Sequence, residues 1–252
     1  MNNTDTLVSI VLPVQNAGAH LAGCLESLRA QTHKNLEVIA IDDKSTDDSL
    51  EILKSFAKKD KRVRVFANKK RYGMAICFNR GVKKARGKFI TFMSAQSKSV
   101  PEKLQSQVTY LEQNPKTVAV GTQAIVFKKH GKMKKVALPQ DHDNIYQLLL
   151  TGAMRFETVL INRYLLPKDL LHFRHNLFPM LYTDVFIKMI RYGYLANLPM
   201  FLHFHFSTAK KLGKASTKVT KTTSHVKLWL KSVTLSQYRP SIRSLITPLR
   251  NA

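Results

Sequence analysis

Short apolar segments alternate with amphipathic segments along the first half of the chain, and this alternation constrains the fold more than any other feature. Residues 7–12 (LVSIVL) and 36–41 (LEVIAI) are continuous apolar runs rich in β-branched side chains, which is typical of strands buried on both faces. Between them, residues 20–31 repeat apolar side chains at helical spacing. The pattern predicts βαβ units, a mostly parallel sheet and helices on both of its faces.

The same alternation extends to residue 127. Further helices are predicted at residues 49–58, 74–85 and 101–113, and further strands at residues 62–66, 88–93 and 117–127. After residue 127 the pattern loosens, and it predicts a hairpin around Gly131, a helix at 141–150, a strand at 158–162 and a helix at 182–191. The N-terminal half is therefore the more regular part of an α/β protein.

The net charge is strongly positive and unevenly distributed. The chain has 41 Lys and Arg against 16 Asp and Glu, a formal charge of +25, and residues 185–252 contain no acidic residue. Such a field attracts polyanions, whether nucleic acid, anionic lipid or a phosphorylated substrate; a solubilising surface is the alternative. Because no aromatic platform or known nucleic-acid motif accompanies the charge, nucleic acid is the least favoured partner.

The cysteines and the start of the chain bear on its compartment. Cys24 and Cys77 are the two cysteines, and neither belongs to a C-x-x-C pair, which argues against a disulfide framework and against a zinc site. We interpret both as small apolar core residues. Residues 1–6 lack the pattern of a signal peptide, and no stretch approaches the ~18 apolar residues of a membrane span. These features predict a cytoplasmic protein.

Polar segments follow three of the predicted strands. They are residues 13–16 (PVQN), 42–43 (DD) and 94–97 (SAQS). In a parallel α/β sheet, ligands bind beyond the carboxyl ends of the strands. We therefore expect the three segments to meet at one edge of the sheet and to form a binding site there.

Motifs in this region resemble a known family. Residues 8–53 contain, in order, a strand ending in P-V-Q-N, a helix ending in S-L-R-A-Q and a strand ending in D-D-K-S-T-D. This run is similar to the opening of the family 2 glycosyltransferases, and the similarity continues through Gly73 and residues 79–81 (NRG) to residues 85–90 (ARGKFI). The resemblance covers roughly the first half of the chain.

The resemblance implies the GT-A fold, a Rossmann-like α/β fold that binds a nucleotide-sugar. On this basis, residues 1–206 would form the glycosyltransferase domain. Its nucleotide-binding half would be residues 1–127 and its acceptor half residues 128–206. Residues 207–252 would form a basic tail with two short amphipathic helices.

A UDP- or GDP-sugar donor is implied together with the residues that bind it. These residues are Pro13, Val14, Asn16, Asp42, Asp43, Arg71, Ser94 and Gln96. A carboxylate can accept a hydrogen bond from a uracil or guanine N–H, so Asp43 would specify the base. The alternative is that Asp42, Asp43 and Asp47 only cap the following helix. Gln15 replaces an aromatic residue of the family, which removes a stacking surface for the base.

The strand at residues 88–93 is followed by a larger departure from the family. The family has D-x-D-D there, and those carboxylates hold a divalent cation against the donor diphosphate, whereas residues 94–97 are SAQS. Because Mg²⁺ and Mn²⁺ favour carboxylate oxygen, we expect no metal ion at this site. The cations that could neutralise the diphosphate instead are Lys69, Lys70, Arg71 and Lys98, and ordinary solvated charge is the alternative.

Asp184 is the catalytic base that the resemblance implies. The family carries an E-D pair at the start of a late helix, and its Asp deprotonates the acceptor hydroxyl for inverting attack. Thr183 replaces the Glu in this chain, and Asp184 matches the Asp. A salt bridge or a helix N-cap is the alternative role.

His203 and His205 alternate along one predicted strand and so share a face. Two histidines without a carboxylate make a weak metal site, so core or interface positions are favoured. In the basic tail, residues 226–233 and 242–249 place apolar side chains at i, i+3, i+4 and i+7. This spacing favours interfacial helices on the anionic inner face of a membrane, or helices packed on the domain.

Three hypotheses follow from the sequence. The first is a transferase that moves a sugar to a cell-surface polysaccharide or a lipid-linked glycan, with activity in question because of the lost carboxylates. The second is an inactive homologue that binds a nucleotide, a sugar or a protein partner. The third, a polyanion-binding protein, is the least favoured.

Overall fold

The computed structural model describes residues 5–128, 131–174, 181–207, 228–230 and 238–239. Within these residues, nine strands form one sheet with helices on both faces. The strands are β1 (Val8–Val14), β2 (Leu36–Asp42), β3 (Val63–Ala67), β4 (Phe89–Phe92), β5 (Ser97–Ser99), β6 (Thr117–Phe127), β7 (Met133–Val136), β8 (Leu160–Asn162) and β9 (Tyr194–Phe206). The helices are α1 (Gly18–Arg29), α2 (Ser49–Lys59), α3 (Met74–Lys84), α4 (Lys103–Gln113), α5 (His142–Leu148) and α6 (Leu181–Met189).

The first four strands form the parallel part of the sheet, in the order β3-β2-β1-β4. A helix connects each strand to the next along the chain, as the alternation predicts. Strands β1 and β2 are buried along nearly their whole length, because helices cover both faces of this part of the sheet. The α/β fold class inferred from the sequence is confirmed.

Strand β1 extends two residues beyond its predicted end, through Pro13 to Val14. Strand β4 pairs with β1 only as far as Val11, whose carbonyl accepts a hydrogen bond from the Met93 N–H. The backbone of residue 13 faces the same side as that of residue 11, which is the side of β4, and β4 has already ended at Phe92. The missing N–H of proline therefore leaves no ladder bond unmade, and the strand tolerates it.

The second half of the sheet mixes both directions of pairing. Strand β8 lies between β4 and β6 and is antiparallel to both. Strand β9 is parallel to β6 and antiparallel to β5, and β6 forms the expected hairpin with β7. The parallel order predicted from the sequence therefore holds for β1 to β4, whereas among the described strands beyond them β6 and β9 alone pair in parallel. The segment between β6 and β9 contains α5 and α6, and so supplies the long connection that a parallel pair requires.

Two hydrophobic clusters cover the two faces of the sheet. One packs α1, α2 and α4 against side chains such as Ile10 and Val38. The other packs α3, α5 and α6 against Val11 and Ile39, which point to the opposite face because they follow the alternation of a strand. Helices α2 and α3 therefore lie on opposite sides of the molecule.

Parts of the basic tail belong to the second cluster. Leu228 and Tyr238 are buried in it, and the Tyr238 hydroxyl donates to the backbone oxygen of Tyr146 at 2.6 Å. Leu230, which the spacing placed on an apolar stripe, is exposed. The predicted segment 242–249 lies outside the described residues. No helix within the described ranges has the length and hydropathy to cross a membrane.

Candidate functional site

A cavity of about 250 Å³ lies at the carboxyl edge of β1, β2 and β4. The three polar segments meet there, as the strand order predicts, and the N-terminus of α3 closes one side. The candidate residues that line the cavity are Pro13, Val14, Asp43, Arg71, Ser94 and Gln96. The structure thus brings together six of the eight residues that were predicted to bind a nucleotide-sugar.

Asp43 is buried in the wall of this cavity, and the chain itself occupies most of its carboxylate. Oδ1 accepts hydrogen bonds from the Tyr72 N–H and the Asn68 amide, both at 2.8 Å, and Oδ2 accepts one from the Gly73 N–H at 2.7 Å. Burial acts to raise the pKa of Asp43, but these three hydrogen bonds outweigh burial and hold the pKa below its usual value. Asp43 is therefore ionised at neutral pH.

The capping role proposed for Asp43 concerns a different helix from the one expected. Asp43 holds the start of α3 through Gly73, which has a φ of 88° that favours glycine. Asp47 instead serves the start of α2, where it accepts a hydrogen bond from the Ser49 N–H at 3.1 Å. A carboxylate offers about four acceptor positions. In Asp43, N–H groups of the chain fill three of them, and the Cys77 side chain is a further hydrogen-bond partner of this carboxylate.

Asn16 and Asp42 lie next to the cavity and are not part of its lining. The Asn16 side-chain oxygen accepts a hydrogen bond from the Thr46 N–H at 2.8 Å, and the Asn16 backbone N–H donates to Ser45 Oγ at 3.1 Å. Asp42 is buried, with Oδ2 accepting from the Ser45 N–H at 3.3 Å. Asn16 therefore ties the turn after β1 to the turn after β2, and Asp42 holds the second of these turns through Ser45.

Cys77 forms part of the cavity wall beneath Asp43. Burial, together with the charge of Asp43, raises the pKa of the Cys77 thiol to about 12. Burial also raises the pKa of Cys24 to about 12. Both side chains are buried neutral thiols, as the sequence predicts for small apolar core residues.

The segment that replaces the family's carboxylates folds into a tight turn leading into β5. Ser94 Oγ accepts a hydrogen bond from the Gln96 N–H at 3.2 Å, and the Ser94 carbonyl accepts one from the Ser97 N–H at 3.0 Å. Asp43 is the one carboxylate in the cavity wall, and its oxygens bind the chain. Within the described residues, no group of three or more His, Cys, Asp or Glu side chains could hold a metal ion. The residues present do not fit Mg²⁺ or Mn²⁺.

The four cations considered for the diphosphate take different positions. Arg71 lines the cavity, and Lys98 lies against Gln96 in an adjoining depression, with its ammonium 5.5 Å from the centre of the Phe206 ring. Lys69 and Lys70 lie on the outer side of the loop before α3 instead, where Lys70 stacks on Tyr72. The structure therefore leaves Arg71 and Lys98 as the cations close to a ligand in the cavity.

A buried ionic cluster lies below residues 94–97, and the sequence analysis missed its central carboxylate. Glu157 Oε2 lies 3.3 Å from His205 Nδ1 and 3.6 Å from His203 Nε2. His205 Nδ1 is also 3.0 Å from Ser97 Oγ, which joins the cluster to β5. The two histidines share a face, as predicted, and the carboxylate comes from a part of the chain without any recognisable motif.

Burial and the contacts within the cluster together set its protonation. Burial would raise the pKa of Glu157, yet the contacts with the two histidines hold it well below its usual value. For His203, burial dominates and lowers the pKa to about 4. Burial likewise lowers the pKa of Lys103, whose ammonium lies 3.4 Å from the Glu157 carbonyl, to about 8. At neutral pH the cluster therefore contains an ionised Glu157 beside a neutral His203.

Asp184 lies in α6, buried, with Oδ2 at 2.5 Å from the Lys188 ammonium. It is not among the residues that line the cavity. Two residues earlier, the Tyr182 hydroxyl reaches the Met74 sulfur in the cavity wall at 2.8 Å, and its ring stacks on Phe156. The ion pair with Lys188 matches the salt bridge that the sequence offered as the alternative role of Asp184. Helix α6 itself begins beside the cavity, where Tyr182 contacts Met74.

A parallel βαβ half whose strands end at a cavity, joined to a mixed second half, is the architecture of the GT-A class of glycosyltransferases. Within that class the chain belongs to glycosyl transferase family 2, whose family profile matches residues 9–177. The resemblance inferred from the motifs in the first half of the chain is thus confirmed, and the profile extends it to residue 177.

Several relatives of known sequence are described as uncharacterized glycosyltransferases. One from Haemophilus influenzae is 35% identical over 158 residues, which are 62% of this chain and 62% of that protein. One from Rickettsia felis is 35% identical over 176 residues, which are 69% of this chain and 28% of that protein. The chain therefore spans less than two thirds of the length of these relatives.

Solved structures with the same fold are more distant in sequence. TarS of S. aureus in complex with UDP-GlcNAc aligns with a TM-score of 0.77 and 14% identity, over 97% of this chain and 71% of that one. The mannosyltransferase PcManGT of Pyrobaculum calidifontis, in complex with GDP-Man and Mn²⁺, aligns with a TM-score of 0.67 and 16% identity, over 96% and 68%. At these identities the likeness establishes the fold.

Proposed function

We propose that this protein binds a UDP- or GDP-sugar in the cavity and transfers the sugar, with inversion, to a hydroxyl of a glycan or lipid-linked acceptor. The observation that carries the proposal is the ionised Asp43 carboxylate in the wall of a cavity at the carboxyl edge of the parallel strands. A ring N–H of uracil or guanine is a suitable donor to this carboxylate. The UDP-GlcNAc and GDP-Man bound to the solved structures of the same fold support this class of ligand.

Arg71 is the group we propose for the donor diphosphate. It lines the same cavity as Asp43, so a nucleotide held at Asp43 would place its phosphates within reach of a guanidinium. Guanidinium groups bind phosphate through charge-assisted, often bidentate hydrogen bonds. Charge that develops on the leaving diphosphate would be stabilised by Arg71, with Lys98 next to Gln96 as a second cation.

Asp184 remains our candidate for the base. In the proposed step, the acceptor oxygen forms a bond to the anomeric carbon, the bond from that carbon to the diphosphate oxygen breaks, and the hydroxyl proton passes to the Asp184 carboxylate. Helix α6 begins beside the cavity, where Tyr182 contacts Met74. The ion pair between Asp184 and Lys188 would have to open before Asp184 could accept the proton.

An inactive homologue that binds nucleotide without transferring sugar is the second candidate. The observation that favours it is the turn at residues 94–97, which has no carboxylate and whose Ser94 hydroxyl already binds the Gln96 N–H. Nucleotide binding at Asp43 is common to both candidates. Sugar transfer to an acceptor separates them.

Calorimetric titration with uridine, UMP, UDP and UDP-sugars, and with the guanosine series, tests the proposal. For Arg71→Ala we expect the affinity for UDP to fall about tenfold to a hundredfold, the range for a hydrogen bond to a charged group, and the affinity for uridine to stay unchanged. Lys69→Ala is the matched control, because Lys69 lies two residues away on the outer side of the loop. EDTA should not alter any of these affinities.

Four outcomes would count against parts of this proposal. No binding of any nucleotide would overturn it. An equal loss for uridine and UDP in Arg71→Ala would show that Arg71 shapes the pocket and does not contact phosphate. A requirement for Mn²⁺ would contradict the expectation that residues 94–97 hold no metal ion. Nucleotide binding without sugar transfer across a glycan panel would favour the inactive homologue.

A further inference from the structure

The longest acid-free part of the described chain contributes to one side of the molecule. Residues 61–101 contain twelve Lys and Arg and no Asp or Glu. They include β3, which is an edge strand of the sheet, and α3, which covers the face of the sheet opposite to α2. Eleven of the twelve cations lie between residues 61 and 88, on β3, α3 and the adjoining loops, whereas Lys98 lies on β5 at the other edge of the sheet.

Two neighbouring depressions define this surface. The first, of about 460 Å³, lies between the loop after β3 and α3 and is lined by Lys69, Tyr72, Ile76 and Lys83 among others. The second, of about 580 Å³, shares Lys83 and adds Tyr164 and Lys168 from the segment after β8. We call the surface formed by these six residues the α3 face.

The charges of the α3 face are available to a partner. Within the described residues, no carboxylate forms an ion pair with Lys69, Lys83 or Lys168. All three side chains are exposed. Asp169, which follows Lys168, is the acidic residue at the border of the face. The face therefore keeps a net positive charge that the chain itself does not neutralise.

Apolar and aromatic side chains stand among these lysines. Tyr72 is 42% exposed, Ile76 43% and Tyr164 71%. The Lys70 ammonium lies 5.4 Å from the centre of the Tyr72 ring, so cation and aromatic ring are in direct contact. Lysines around exposed tyrosine and aliphatic side chains are the composition of a surface that enters the headgroup region of a bilayer.

We propose that the α3 face binds an anionic lipid bilayer. Lysines would attract the acidic headgroups, and Tyr72, Ile76 and Tyr164 would enter the interface between headgroups and acyl chains. Nucleic acid would use the charge equally well, but it offers no apolar layer for Ile76. The exposed aliphatic side chain therefore favours lipid over a nucleic acid.

The position of the face has a consequence for the cavity. Arg71 and Met74 line the cavity, and Tyr72 and Ile76 of the α3 face lie next to them in the chain. A protein bound through this face would hold the rim of the cavity near the bilayer surface. That position favours a lipid-linked acceptor, and this consequence rests on the proposed function. The binding of the α3 face to lipid does not rest on the proposed function.

Co-sedimentation of the full chain with vesicles tests the proposal. The vesicles are phosphatidylcholine alone, or phosphatidylcholine with about 30 mol% phosphatidylglycerol. We expect the protein to bind only the vesicles that contain phosphatidylglycerol. Its affinity for them should decrease strongly between about 0.05 and about 0.5 M NaCl, because salt screens exposed charges. The test variant is Lys69→Glu with Lys83→Glu. Its expected affinity is lower by about 25-fold or more, from a factor of about five for each cation.

The matched control is Lys54→Glu with Lys58→Glu, which changes the net charge by the same amount. Both lysines are exposed on α2, on the opposite face of the sheet, and the control should bind anionic vesicles within about threefold of the unmodified protein. Both variants keep the basic tail. Equal losses in the two variants would show that net charge or the tail governs binding, and would overturn the assignment to the α3 face.

A second variant tests the apolar part of the face. Ile76→Ser with Tyr164→Ser changes exposed side chains, so it should keep the melting temperature of the unmodified protein and its affinity for UDP, while vesicle binding falls about tenfold or more. Unchanged vesicle binding in this variant would overturn the insertion of these side chains. A loss of RNA or DNA binding in the lysine variant, without any loss of vesicle binding, would assign the face to nucleic acid and overturn the proposal.

Discussion

Two carboxylates near the cavity illustrate how the surroundings of a single residue decide its role. Asp43 is held by three N–H donors and lines the cavity. Glu157 lies against two histidines, one of which contacts Ser97 in the turn that leads into β5. The Asp43 contacts hold the start of α3 at the cavity, whereas the Glu157 contacts connect β5, β9 and the segment before β8.

At the residue scale, we expect His203 to make stability depend on pH. Its pKa is about 4 in the folded protein, against 6.5 for an unperturbed histidine. Between these values the unfolded chain binds a proton that the folded protein does not bind. The contribution of His203 is therefore complete above pH 6.5 and is lost as the pH falls toward 4, by up to about 1.4 kcal/mol per pH unit.

Urea unfolding from neutral to mildly acidic pH measures this effect. His203→Gln should show a shallower decrease of the free energy of unfolding over the acidic interval than the unmodified protein. The difference between the two curves isolates His203 from other groups that titrate in the same range. Parallel curves would contradict a neutral, buried His203.

At the scale of elements, α3 joins the candidate site to the core and to the basic surface. Its start is held by Asp43 through Gly73, its inner side carries Cys77 and Phe78 into the core, and its outer side belongs to the α3 face. Gly81 lets the helix lie close to β1. A Cβ atom at this position would be 2.2 Å from Val11 Cγ1.

Gly81→Ala should therefore destabilise the protein. In an exposed helix the same change would stabilise by about 1 kcal/mol, because alanine has the higher helix propensity. Here the added methyl group overpacks the contact with the fully buried Val11, and we expect a net loss of about 1–3 kcal/mol in the free energy of unfolding. Lys84→Ala, exposed on the same helix, is the control and should stay within about 0.5 kcal/mol. A raised melting temperature for Gly81→Ala would show that the helix has room to shift.

At the scale of the whole molecule, the tail contributes to the core. Tyr238 packs edge-on against the Tyr146 ring at 4.8 Å between ring centres, and Leu228 belongs to the same cluster. The sequence predicted a tail separate from the domain, with packing on the domain as the alternative. The described tail residues support that alternative, while membrane binding by the remainder of the tail stays a prediction.

Tyr238→Ala tests this contribution. Removing a large, buried aromatic side chain should lower the free energy of unfolding by about 3–5 kcal/mol. Tyr238→Phe removes only the 2.6 Å hydrogen bond to Tyr146, so the loss should be about 1 kcal/mol. Chemical denaturation measures both. Two variants as stable as the unmodified protein would mean that the tail is not part of the cooperative unit.

Sequence patterns predicted the features that depend on local burial. Strands β1 and β2 are apolar on both faces because helices cover them from both sides, and such runs are visible without knowing the neighbours. The meeting of residues 13, 43 and 94 followed from a general property of parallel sheets, whose carboxyl ends share one edge. The family motifs added the type of ligand, which periodicity alone does not specify.

Long-range contacts decided the remainder. Strand β5 is a three-residue polar segment that exists because it pairs with His203 to His205, and Glu157 reaches the same histidines from yet another segment. The partners of Asp43 come from the loop before α3, so its role in holding that helix has no trace around residue 43 itself. Local periodicity records whether a side chain is buried, and it does not record which distant side chain it meets. The sequence by itself therefore determined the α/β class and the edge of the sheet where a ligand would bind, while only the tertiary structure decided the ionic cluster, the second half of the sheet and the basic face along α3.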